Sequence, residues 1–167
     1  MNIINIIISN VILLIPLSLS IVFTFIFVLP FIPFEITSIA PLLGIMTAIY
    51  WIVNRQELMS WASVLIVGLI HDFLLGLTVG LSCLSLVIVR YVIIKLLYKY
   101  DNLSSIYTFL FIALGVFLWL LCILILKTII EFEFFNFLNV IFQYLLSLTF
   151  SPIIIIFNNY VSNKIKQ

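Results

Sequence analysis

Residues Leu58 to Leu97 read LMSWASVLIVGLIHDFLLGLTVGLSCLSLVIVRYVIIKLL, forty residues in which only His71, Asp72, Arg90 and Lys95 break the apolar run. A single helix of that length would measure about 60 Å at 1.5 Å per residue. The hydrocarbon core of a bilayer is about 30 Å thick. The chain therefore has to reverse within the run. Gly76-Leu77-Thr78-Val79-Gly80 is the place for it, because glycine takes a left-handed backbone without steric cost. The stretch predicts a helical hairpin, residues 58–76 and 80–98.

The remaining apolar runs each have the length of one span. They cover residues 11–29, closed by Pro30 and Pro33; 36–53, closed by Asn54, Arg55, Gln56 and Glu57; 103–126, closed by Lys127; and 137–157, before Asn158 and Asn159. Hydrophobic residues make up 66% of the chain and charged residues 8%, where a soluble domain carries about a quarter charged. So few charges cannot cover a water-facing surface. The expectation is an all-α integral membrane protein, one domain over residues 1–167 with six transmembrane helices. A net charge of +1 gives no electrostatic case for nucleic acid. The apolar N-terminus lacks a basic n-region and a small-residue cleavage site, so it reads as retained. Cys83 and Cys122 lie inside apolar runs and read as buried thiols.

Six spans put both termini on one side. Arg55, Lys95, Lys99, Lys164 and Lys166 share that side, five of the seven basic residues. Lys127 lies opposite, with Glu35, Glu131 and Glu133. The positive-inside rule then makes both termini cytoplasmic. Trp51, Trp61, Tyr98, Tyr100, Tyr107 and Tyr160 flank the cytoplasmic ends, where amphipathic rings settle at an interface. Residues 129–135, IIEFEFF, read as an outer loop or a segment lying along the outer interface.

No phosphate loop, HExxH or GxSxG occurs, and no nucleophile stands at helical spacing from a base. No metal or cofactor is expected. His71, the only histidine, points about 100° away from Asp72 on a helix and reads as a packing residue. Asp72 is costly inside an apolar span. It sits near wet surface, caps the backbone at the Gly76 turn, or has a partner. The candidate partner is Arg90. Counted from Gly76 and Gly80, Arg90 lies deeper by about 9 Å, and the two side chains lean toward each other. The alternative for Arg90 is snorkelling to the cytoplasmic surface. Gly68, Asp72, Gly76 and Gly80 recur at spacing four, which predicts a close helix packing face running into a turn.

The stretch from Pro41 to Lys99 resembles the MreD family of rod shape-determining proteins. Pro41 opens an apolar helix ending in Tyr50-Trp51 before Arg55. GLIHDFLLGLTVG carries Asp72, Gly76 and Gly80 at the family spacing. The next helix is aliphatic and ends in KLLYKYD. Length, span number and short loops agree. His71, Leu75 and Thr78 depart from the family pattern, which has an apolar residue, Ser and Pro there. The resemblance implies a fold similar to the six-helix substrate-binding subunits of energy-coupling vitamin transporters. It also implies a non-enzymatic role in the bacterial inner membrane: association with MreC, and through it with MreB, RodA and its penicillin-binding transpeptidase, in lateral peptidoglycan synthesis and cell shape. The alternative is a vitamin-capture subunit, which needs an outward pocket with convergent polar groups. Glu35, Lys127, Glu131 and Glu133 are a poor set for that. An intramembrane enzyme ranks last.

Overall fold

The computed structural model describes residues 3–26, 40–99, 104–131 and 137–165. These form six α-helices: α1 (Ile3–Ile26), α2 (Leu43–Asn54), α3 (Trp61–Leu75), α4 (Leu81–Leu97), α5 (Ser105–Glu131) and α6 (Phe137–Ile165). No strand occurs among the described residues. Among the described residues two helices, Ser105–Ile130 and Phe137–Ile165, are long and apolar enough to cross a membrane. By contrast, α2 has 12 residues and reaches about 18 Å.

The organising element is α2. Every residue from Leu43 to Val53 is buried, as expected of a helix that is apolar all round. It packs against α1, α5 and α6, with smaller contacts to α3 and α4. Gly44 lets α1 approach: a Cβ there would lie 2.0 Å from Thr24 Oγ1 and 2.8 Å from the Ser20 carbonyl. Thr24 and Ser20 turn their own hydroxyls back onto the Ser20 and Pro16 carbonyls.

Polarity is distributed inside out. Ser20, Thr24, Thr47, His71, Asp72, Ser82, Ser85, Arg90, Ser147, Ser151 and Asn158 are buried. Phe73, Ile106, Ile129, Leu138, Ile153 and Ile156 are more than 60% exposed.

The element limits correct several expectations. α1 begins at Ile3, well before residue 11, and Pro41 stands two residues ahead of α2 rather than at its first turn. α3 starts at Trp61 because Ser60 caps it, its hydroxyl accepting the Ser63 N–H at 3.2 Å. α5 runs past Lys127 to Glu131, so residues 129–131 of the expected loop are helical; residues 132–135 lie outside the described set. α6 runs through Asn158 and Asn159 to Ile165. Asn158 does not end the span, because its carboxamide is fully buried and bonded. Trp51 is not an interfacial ring. It is 0% exposed, and its indole N–H donates to Asn158 Oδ1 at 2.9 Å, so it needs no contact with water. Trp61, Tyr98, Tyr107 and Tyr160 are exposed, and Tyr100 lies outside the described residues.

Candidate functional site

The hairpin of α3 and α4 gathers the residues singled out by the sequence. α3 ends at Gly76, left-handed at φ +62°, and α4 starts after Gly80 at φ +102°. The Asp72 carbonyl accepts the Gly76 N–H and the Leu77 N–H, the latter at 3.0 Å. This closes the C-terminus of α3.

The Asp72 carboxylate closes the N-terminus of α4. Oδ2 accepts the Gly80 N–H at 2.8 Å and Oδ1 the Ser82 N–H at 2.9 Å. Gly80 occupies the N-cap position and has no side chain to cap with. The positive φ demands glycine there, so the capping oxygen has to come from elsewhere, and α3 delivers it. A carboxylate at a helix N-terminus is also favoured by the helix dipole. The spacing of Asp72, Gly76 and Gly80 is thus one device: one helix stopped, the next started, one carboxylate tying both. Of the readings open for Asp72, capping at the turn is the one observed.

A Cβ at Gly76 or Gly80 would meet nothing within 4 Å. The requirement there is conformational, not steric. Gly76→Ala and Gly80→Ala are each expected to destabilise by about 1–2 kcal/mol. Gly80→Asn should cost less than Gly80→Ala, since asparagine tolerates the left-handed region. Unfolding of the detergent-solubilised chain measures both.

Gly68 works differently. A Cβ on it would lie 2.6 Å from Cys83 Cα and 2.7 Å from Cys83 N. The Cys83 thiol donates to the Leu65 carbonyl at 3.3 Å across the same contact. This is the close packing face that the spacing of small residues predicts.

Arg90 does not pair with Asp72. Its Nη1 donates to the Met59 carbonyl and its Nη2 to the Gln56 carbonyl at 3.3 Å. The guanidinium carbon lies 4.7 Å from the Trp61 ring centroid. The Gly68–Cys83 contact fixes the antiparallel register and puts Arg90 level with Trp61. Trp61 is eleven residues from Asp72, about 16 Å along α3. Counting from the glycines gives too short a separation. Nor does Arg90 snorkel into water: it is 5% exposed and satisfies carbonyls of the loop between α2 and α3. The hairpin is pinned at both ends by a charge on backbone, an anion on N–H groups and a cation on C=O groups.

His71 is buried on the other side of the turn. Its Nδ1 lies 3.0 Å from Ser82 Oγ, and its ring meets Trp119 edge-on at 5.2 Å. His71 and Asp72 face different ways, as their adjacency predicts, yet both end on Ser82. No group of three or more metal-ligating side chains occurs among the described residues.

Sequence reasoning missed a second polar seam, between α2 and α6. Ser147 Oγ accepts the Leu42 N–H at 3.1 Å, Asn158 accepts from Trp51, and Asn159 Oδ1 accepts from the Tyr50 hydroxyl. Gln143 Nε2 donates to the Ala40 carbonyl at 3.1 Å, just before Pro41. The signal was present: Ser147, Ser151, Asn158 and Ser162 fall on one helical face, spaced by four and seven, and all are buried. Compared with protein-family models, with curated proteins and with solved structures, the chain matches none.

Proposed function

We propose that the chain is a six-span inner-membrane scaffold of the MreD type, with both termini cytoplasmic. It associates with an MreC-like partner to support cell shape and lateral peptidoglycan synthesis, without enzymatic turnover. The observation that carries this reading is the Asp72 turn. The residues on which the resemblance rests, Asp72, Gly76 and Gly80, form a single capped reversal, which supports reading them as one motif. Membrane residence is supported by the apolar exterior and the polar side chains turned inward, the arrangement that helices adopt in lipid.

The capture-subunit reading finds less support. A vitamin needs a cavity of about 300 Å³ or more with convergent polar groups. A cleft of 330 Å³ between α5 and α6 has the size, but its lining is Phe, Leu, Ile, Val and one tyrosine, Tyr144.

The test has two arms. Single cysteines introduced at Asn2, Lys99, Glu133 and Gln167, in a chain lacking Cys83 and Cys122, are probed with an impermeant thiol reagent. Only Glu133→Cys is expected to label from outside; outside labelling at Gln167→Cys would end the topology. Depletion is expected to round the cells, and the tagged chain to co-purify with an MreC-like protein. Cells of normal width that starve for one vitamin would replace the scaffold with the capture subunit.

A further inference from the structure

His71 has a second surface. The ends of α1 and α3, the turn before α2 and the start of α6 line a partly open chamber of about 30 Å³, with Thr24, Pro41, Gly44, His71, Leu75 and Gln143 among its walls. A cavity needs at least about 10–15 Å³ of such space to admit a water, which also needs two to four polar partners.

The hydrogen bonds around the chamber set what it can take. Ser82 Oγ, fully buried, has no acceptor other than His71 Nδ1 among the described residues. If that hydroxyl donates to Nδ1, the one use the described residues offer its proton, the imidazole proton sits on Nε2. Gln143 commits one amide N–H to the Ala40 carbonyl, which leaves Oε1 to accept. Thr24 donates to the Ser20 carbonyl and keeps lone pairs on Oγ1. The lining thus offers the imidazole, Thr24 Oγ1 and the Gln143 carboxamide, which keeps its oxygen and a second N–H, with Phe23, Leu43 and Leu75 as apolar wall. Among the described residues no Asp, Glu, Lys or Arg lines it, so nothing there balances a charged occupant.

We propose that this chamber is a binding site for one neutral, water-sized molecule, which accepts from His71 Nε2–H and donates to Gln143 Oε1 and Thr24 Oγ1. Water has that size and that hydrogen-bonding pattern. The molecule joins α1, α3 and α6 beneath Pro41. Through Ser82 it extends to the helix end that Asp72 caps.

Because His71 is the only histidine, a ¹⁵N-histidine label reports on one residue. In the full chain in lipid nanodiscs, the label is expected to show the proton on Nε2 and a dipolar cross-peak from Nε2–H to water. Leu75→Phe, which fills the chamber from its wall, should abolish the cross-peak and keep the tautomer. Ser82→Ala, which removes the donor to Nδ1, should shift the proton toward Nδ1. A wild-type proton on Nδ1, a wild-type Nε2–H without the water cross-peak, or a cross-peak that survives in folded Leu75→Phe would overturn the proposal. The wild-type spectrum decides it even if neither variant folds.

Discussion

Gly68→Ala is expected to destabilise the chain severely, by about 1–3 kcal/mol or more, and Gly115→Ala by clearly less. The two substitutions add the same methyl group. At Gly68 it would sit 2.6 and 2.7 Å from two backbone atoms of Cys83. Helical backbone, here the first turn of α4 tied to Asp72, cannot rotate away as a side chain can, so α3 and α4 would have to separate. That movement strains the Cys83–Leu65 bond and, one turn further on, the carboxylate bridge from Asp72 to the start of α4. At Gly115 the nearest atoms to the methyl are side-chain methyls of Ile49 and Ile93, at 3.0 to 3.1 Å, which need to give by only a few tenths of an ångström. The control is Cys83→Ala. Cys83→Ala removes the Sγ contact at 3.0 Å but leaves the shorter ones with Cα and N, so at most a small part of the Gly68→Ala loss is expected to return. Denaturation of the purified chain in mild detergent and membrane accumulation in cells read the same order. A double variant restored to wild-type stability would refute the backbone-contact argument.

The contrast between Gly68 and Gly44 marks what a sequence shows. The hairpin was legible because its logic is local. Two glycines four residues apart set the turn, an aspartate four residues before them supplies the cap, and a further glycine four residues earlier lies on the contact face. Gly44 belongs to an equally tight contact, but its partners Ser20 and Thr24 lie in α1, not in the other arm of the same short hairpin, as Cys83 does for Gly68. No single helix pattern reveals it. Asn158 and Trp51 failed for a related reason. Hydropathy treats a paired asparagine as an exit to water, and an indole at the end of an apolar run as an interfacial anchor. Each is instead satisfied by the other across 107 residues, and burial replaces both exits. α2 shows a further limit: an apolar helix is equally apolar whether lipid or protein surrounds it, so its central place appears only in the packing.

Asp72→Asn and Arg90→Gln are expected to have large effects that add. Asp72→Asn keeps one acceptor oxygen but turns an amide N–H₂ toward a backbone N–H of Gly80 or Ser82. Leaving such a buried donor unsatisfied costs about 1–3 kcal/mol. Arg90→Gln removes two donors held on the Met59 and Gln56 carbonyls; a hydrogen bond from a charged group contributes about 1.5–3 kcal/mol. The ring contact with Trp61 is lost as well. Arg90→Lys should recover little, because one ammonium cannot reproduce a planar fork spanning two carbonyls. An ion pair between Asp72 and Arg90 would make the double variant better than the sum of the two, since each single change would strand the other charge. The register places the two groups at opposite ends of α3, and neither has the other as partner. The coupling energy is therefore expected to lie within about 0.3–0.5 kcal/mol of zero, as for distant sites. A double-variant cycle on detergent unfolding measures it. Recovery of more than about 1 kcal/mol in the double variant would bring the two charges back together.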